Sequence, residues 1–175
     1  DTDGIIIDSS RKTTNKNRVI VSDKHIIRID NENTNNISKK LRDYFIETVN
    51  KLSIKSEIII FQDYDKGTLD KSSISEIIKQ NKKSFISVDP KKRNFFNYEN
   101  VNLFKPNLNE VLNAYASEDS SEMNLKKISK KLSIENKIEN MMITLSERGL
   151  MIHNNQGNFR HKIKRKKIID VSGAG

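Results

Sequence analysis

The sequence predicts an α/β fold with a largely parallel central sheet, and a small β hairpin set apart from it. Three observations carry this expectation. Short aliphatic runs alternate with amphipathic stretches from residue 37 onward. Pro, Gly, Asp and Asn interrupt the pattern after the aliphatic runs. Two β-rich runs, residues 18–21 and 25–29, lie side by side before the alternation begins. Strands alternating with helices at this spacing form parallel sheets; adjacent runs joined by a tight turn form hairpins.

The chain has 175 residues, the size of one domain. Its 32 Lys and Arg outnumber 23 Asp and Glu, giving a formal net charge of +9 that suits small anionic substrates. The longest aliphatic-aromatic run is Ile58-Ile59-Ile60-Phe61. A spanning helix needs about 20 apolar residues, so no membrane partner is expected. With no cysteine, disulfides, thiolate metal sites and a Cys nucleophile are excluded, and a reducing, cytoplasmic setting is expected.

Taken in order, Ile5-Ile6-Ile7 reads as a short strand running into a polar turn. Ser22-Asp23-Lys24 turns the hairpin. Asn36 or Ser38 caps a helix whose apolar face is Ile37, Leu41, Tyr44, Phe45, Val49 and Leu52. Residues 57–61 form a buried-type strand. A helix follows around Ile74, Ile77 and Ile78. Residues 84–88 make the next strand, ended by Asp89-Pro90, and residues 101–104 another, ended by Pro106. Helices are expected over 107–115 and 123–132, and a fourth buried strand over 141–145. Residues 150–153 and 158–163 flank an Asn-Asn-Gln-Gly turn, a hairpin signal.

In open α/β sheets ligands bind at the carboxyl ends of the parallel strands. Four loops fall there: residues 63–67, 89–93, 105–110 and 144–149. All four mix acids, bases and turn residues, as phosphate and metal chemistry requires, although strand-to-helix loops are polar in any case. Gly173-Ala174-Gly175 follows a strand-like run, where small residues let backbone N–H groups approach an anion. Walker-A, G-x-S-x-G and G-x-G-x-x-G patterns are absent. His25, His153 and His161 are too scattered for a metal set, and cross-strand or surface roles are expected. Lys162, Lys164 and Lys166 alternate along an extended stretch as a solvated face would. No helix-turn-helix or RNA-recognition signature accompanies them, so nucleic acid is not an expected partner.

In this order the loops resemble the ribokinase-like (PfkB) carbohydrate kinases, and most closely their heptose 7-phosphate kinase branch. Residues 11–19 are similar to the branch's R-P-T-T-x-K-T-R-V run, with Lys12 where the branch has Pro. Residues 25–30 resemble the lid strand next in that branch. Asp63-Tyr64-Asp65-Lys66-Gly67 resembles D-Y-x-K-G, and Asp89-Pro90-Lys91 resembles D-P-K. Pro106-Asn107-Leu108-Asn109-Glu110 matches P-N-x-x-E, and Asp170-Val171-Ser172-Gly173-Ala174-Gly175 matches D-V-[ST]-G-A-G-D up to its last residue.

The resemblance implies a three-layer α/β/α ribokinase-like fold with a β lid hairpin at 18–30 and an α/β core over 37–175. It implies ATP and Mg²⁺ as cofactors and a sugar phosphate as substrate. Asn107 and Glu110 would organise Mg²⁺ through water. Asn107, Leu108, Asn109, Glu110, Thr144, Ser146 and Gly149 would form the nucleotide side. Lys16, Arg18, Asp63 and Lys66 would face the sugar phosphate. Amides of Gly173, Ala174 and Gly175 would form an anion hole, with the catalytic Asp directly beyond Gly175. The chain is thus expected to be an internal part of one longer kinase domain, inactive alone. The hairpin is the surface through which two copies would pair. Another sugar kinase of the same family and a basic binding module without catalysis both stay open on residues alone.

Overall fold

The computed structural model describes residues 2–22 and 24–163. Residues 173–175, the expected anion hole, and Lys164 and Lys166 lie outside the described residues. Two strands, β1 (Asn15–Val21) and β2 (Lys24–Asn31), pair antiparallel as a separate hairpin. The alternation continues as α1 (Lys39–Ser53), β3 (Ile58–Gln62), α2 (Lys71–Gln80), β4 (Phe85–Asp89) and β5 (Leu103–Phe104). Then come α3 (Leu108–Ala114), α4 (Glu122–Glu135), β6 (Asn140–Thr144), β7 (Leu150–Asn154) and β8 (Gly157–His161). Strands β3 to β8 make one sheet in sequential order. The first four are mutually parallel, and β7 and β8 are antiparallel additions.

Each helix begins where a side chain can take up an otherwise unpaired N–H. Ser38 accepts from Leu41 N at 3.3 Å and Ser121 from Asn124 N at 3.2 Å. Asp70 with Ser73, and Asn107 with Glu110, form reciprocal capping boxes. The core lies on the inward faces of the sheet and of its helices. Ile74, Ile77 and Ile78 of α2 are buried, as are Leu125, Ile128 and Leu132 of α4. Phe95 packs edge-on against Phe104 at 5.2 Å, and Tyr98 against Phe61 at 5.7 Å. Edge-to-face pairs of this kind fill the space beside β4 and β5.

Three expectations need correction. Residues 5–7 are not a strand: Ile5 and Ile7 are 70% and 87% exposed, and no sheet edge pairs with them. An aliphatic run without a partner strand has nothing to ladder with. The hairpin is longer than 18–30, because Asn15, Lys16, Asn17 and Asn31 extend the ladder. Strand β5 is shorter than 101–104, because the side chain of Asn102 takes up a ladder donor in place of a backbone carbonyl: its Oδ1 accepts from Ile86 N at 2.7 Å. His153 has the expected cross-strand role, its Nδ1 lying 3.0 Å from Asn158 Oδ1. Among the described residues no helix is long and apolar enough to cross a membrane.

Two glycines stand where the backbone of one segment closes on that of another. At Gly67 (φ +76°) a Cβ would stand 1.9 Å from the carbonyl oxygen of Asn35. The linker after β2 therefore lies directly on the loop after β3, and Ile37 N donates to Gly67 O at 2.9 Å. At Gly149 (φ +86°) a Cβ would stand 2.1 Å from the carbonyl oxygen of His161. Left-handed backbone is strained for any other residue, at roughly 1–3 kcal/mol, before such a collision is counted. Gly149→Ala should therefore lower the urea midpoint by an amount equivalent to about 2 kcal/mol or more. An unchanged midpoint would mean that the β7–β8 end is free to move away.

Candidate active site

The carboxyl ends of β3 and β4, with the segments that flank them, bring the motifs together. At the end of β3 Asp63 is 2% exposed. Its Oδ2 accepts from Tyr98 OH and Asn94 Nδ2, each at 3.0 Å, and its Oδ1 from Asp65 N at 2.7 Å. Burial, and after it the negative charge of Asp63, pushes the Tyr98 phenol far above its ordinary range, so it remains a neutral donor. The carboxylate of Asp63 thus holds its own loop in place at the border of the cavity.

Around this loop lies a cavity of about 960 Å³, bordered by Thr14, Lys16, Tyr64, Lys66, Lys91 and Phe45 among others. Of the residues expected to face a sugar phosphate, Lys16, Asp63 and Lys66 border it. Arg18 does not; it is exposed on β1, opposite Arg28 in the ladder. Lys66 is ion-paired with Glu32, and Lys16 lies 3.8 Å from Asp30, so each cation rests on a carboxylate of the adjoining strand or linker. Arg11 ties the same parts together, donating to the carbonyls of Asn33 at 2.7 Å and Lys66 at 2.5 Å.

Lys91, placed by its D-P-K motif but not among the expected ligand residues, borders the same cavity. Its ammonium is paired with Glu110 and lies 3.5 Å from Asp89. Burial disfavours the charged amine, but the hydrogen bond and charge of Glu110, then Asp89, outweigh it and raise the pKa. Asp89 also accepts from Lys105 and Gln62, at 3.0 and 3.1 Å. The sequence signal for Lys91 is its place one residue past the Asp-Pro stop of a parallel strand.

On the far side of this cluster Asn107 caps α3, its Oδ1 accepting from Glu110 N at 2.9 Å. Glu110 Oε2 in turn accepts from Asn107 N at 2.8 Å. The i, i+3 spacing of P-N-x-x-E therefore has a structural meaning of its own. Leu108 packs against the core, whereas Asn109 is exposed. Asn107 bridges to Thr144 at the end of β6. Ser146 has φ +51° in the turn after β6, and its carbonyl accepts from Gly149 N at 2.9 Å. Asn107, Glu110, Thr144, Ser146 and Gly149 thus share one stretch of the sheet's carboxyl edge.

Among the described residues no group of three or more His, Asp or Glu could enclose a metal. Asp89 and Glu110, however, converge on one ammonium. Two carboxylates, with substrate phosphates and waters completing the shell, suit Mg²⁺, which rarely takes an all-protein cage. The donor set fits that ion.

A lysine-rich cavity at the carboxyl edge of a parallel sheet, with a β hairpin beside it, defines an α/β protein of the ribokinase-like type. The ribokinase of Giardia lamblia superposes with a TM-score of 0.70 over 95% of this chain and 52% of that one, at 18% identity. Phosphofructokinase-2 of Escherichia coli, solved with fructose-6-phosphate, gives 0.66 over 79% and 47%, at 15% identity. The chain belongs to the pfkB family of carbohydrate kinases, whose profile matches residues 1–175. Among curated relatives, the bifunctional protein HldE of Wolinella succinogenes is 35% identical over 175 residues, 98% of this chain and 36% of that protein. The chain spans little more than a third of the length of such relatives.

Asp89 makes the site's stability depend on pH. Burial would raise its pKa, but the hydrogen bonds of Lys105 and Gln62 and the charges of Lys105 and Lys91 hold it below its ordinary 3.8. A depressed carboxyl contributes stability above its unfolded pKa and loses it as pH falls through the folded value. Wild-type urea midpoints should therefore decline as pH drops below about 4. In Asp89→Asn this acid dependence should be shallower; an identical slope would show that Asp89 is not linked to unfolding.

Proposed function

We propose that this chain is the central part of an ATP-dependent sugar kinase domain acting on D-glycero-β-D-manno-heptose 7-phosphate. The product would be the 1,7-bisphosphate, phosphorylated at the anomeric hydroxyl. One observation carries the reading: the T-T-x-K, D-Y-x-K-G and D-P-K motifs, far apart in sequence, contribute Thr14, Lys16, Lys66 and Lys91 to one cavity. Three ammonium groups around one cavity suit a doubly anionic substrate phosphate close to the phosphates of a nucleotide. The family membership and the bifunctional HldE relatives support the same reading.

In this mechanism Lys16 and Lys66 bind the 7-phosphate and hold the sugar in register, with Arg18 at the outer edge of the hairpin. Asn107, Leu108, Asn109, Glu110, Thr144, Ser146 and Gly149 line the nucleotide side. When bound, Mg²⁺ would supply neutralisation of phosphate charge, and Asn107 and Glu110 would hold it through water. The family resemblance assigns the anion-hole role to Gly173, Ala174 and Gly175, which lie outside the described residues. Phosphoryl transfer of this kind is catalysed mainly by positioning and charge.

In the complete protein Glu110→Gln should lower kcat by about tenfold or more, roughly 1.4 kcal/mol of barrier. The denaturation midpoint should barely move, because Gln preserves the capping box. Rates within about twofold of wild type would remove Glu110 from the phosphate machinery. Wild-type turnover on fructose or ribose phosphates but not on the heptose would move the assignment to another sugar of the family.

The hairpin carries a second expectation. Val19, Ile20, Val21, Ile26, Ile27 and Ile29 are 43–62% exposed, an apolar strip on a two-stranded element. Such a strip marks an association surface, and we assign it to a second copy of the chain. Light scattering of the complete protein should give a dimer, and Ile27→Asp a monomer with an unchanged melting temperature. A wild-type monomer at micromolar concentration would refute the pairing.

A further inference from the structure

The cluster between the two halves of the site contains a cation already: the ammonium of Lys91. Two carboxylates from different elements, Asp89 at the end of β4 and Glu110 in the first turn of α3, converge on it. Their situations differ. Asp89 keeps Lys105 at 3.0 Å and Gln62 at 3.1 Å if Lys91 leaves. Glu110 has Lys91 as its ion-pair partner among the described residues, with Oε2 tied to the backbone of Asn107. Lys91 also borders the cavity that holds Lys16 and Lys66, so its long side chain has an alternative place to carry its charge.

We propose that Lys91 is a placeholder cation: its ammonium occupies the carboxylate pair of Asp89 and Glu110 until a divalent ion displaces it, and it then turns into the cavity toward substrate phosphate. This rests on the kinase reading for the phosphate, but the exchange of cations does not. The physical basis is competition. One pair of carboxylates in a half-buried setting stabilises one cation strongly, and two cations at the same place repel. Arrival of the divalent ion would therefore be coupled to release of the lysine. Coupling between two ligands of one site appears in both affinities by the same factor. Lys91 is on this view a positioning residue: it keeps Glu110 in place while the site is empty and couples metal arrival to phosphate capture.

The test uses Mn²⁺ alone, without nucleotide or sugar, on the complete protein. Binding is monitored by loss of the free-ion electron paramagnetic resonance signal. Lys91→Met should tighten Mn²⁺ binding by at least about fivefold, the lower end of usual coupling factors. In a Glu110→Gln background the same substitution should have no effect. Unchanged or weaker binding in Lys91→Met would overturn the proposal, since a merely structural lysine should not compete with metal. A wild-type measurement guards against a variant that fails to fold. Limited acetylation read by mass spectrometry should label Lys91 faster as Mn²⁺ is raised, with the exposed Lys39 of α1 as internal reference. Constant labelling of Lys91 across the titration would equally overturn it. A wild-type protein that shows the exchange but phosphorylates no sugar would leave the exchange standing and remove the kinase reading instead.

Discussion

A buried carboxylate governs the geometry of this molecule. Asp63 sits almost wholly out of water at the end of β3, and a charge placed there must be met by donors or it unfolds the region around it. Tyr98, Asn94 and the N–H of Asp65 meet it. Those three come from different stretches, so satisfying one side chain pins the 94–98 segment, the strand end and the adjoining turn to one another. Removing Tyr98 OH alone would leave a poorly paired acid, typically a loss of about 1–3 kcal/mol. The loop that carries Lys66 is held in place by these hydrogen bonds.

Around that anchor the charges are arranged in resting pairs. Lys16 lies near Asp30, Lys66 meets Glu32, Lys91 meets Glu110 and Asp89, and Lys105 meets Asp89. In such part-buried pairs the attraction is largely offset by the cost of desolvating both charges, so their net effect on stability is modest. Their effect is on order: long side chains that would otherwise sample many rotamers are kept near the cavity wall. A phosphate entering there meets cations already close to their working places, which lowers the entropic loss of binding. The hairpin and the linker after β2 take part, since Arg11 and the close approach at Gly67 join them to the loop after β3.

Most of this fold was legible in the sequence because its strands are short and aliphatic and its helices amphipathic. Ile74, Ile77 and Ile78 mark the buried face of α2 as the spacing required. The exceptions share a cause: pairing is not a local property. Ile5 and Ile7 have strand composition but no neighbour, and Asn102 shortens β5 by bonding sideways to Ile86. The site was legible in its motifs but not in the duties of individual side chains. Nothing local reveals that Asp63 is buried and held by three donors while Lys66, on the border of the same cavity, is ion-paired with Glu32. Nor does it reveal that Asn107 and Glu110 cap each other, or that Lys91 stands between Glu110 and Asp89. Gly149 reads as a loop glycine until the carbonyl of His161 is seen beside it.

The strictly sequential order of the main sheet has a consequence for how the chain acquires its structure. Each new strand from β4 to β8 adds beside the one made just before it, so no strand waits for a distant partner. Each parallel addition still has to close a crossover, the one between β5 and β6 running from Phe104 to Asn140, so these steps are slower than the tight-turn pairing of β7 with β8. During synthesis the sheet can grow strand by strand as residues emerge, each step pairing the backbone N–H and C=O groups left open along the previous edge. The motifs at the strand ends are then completed only as later segments arrive, the loop after β3 being fixed once Asn94 and Tyr98 reach Asp63.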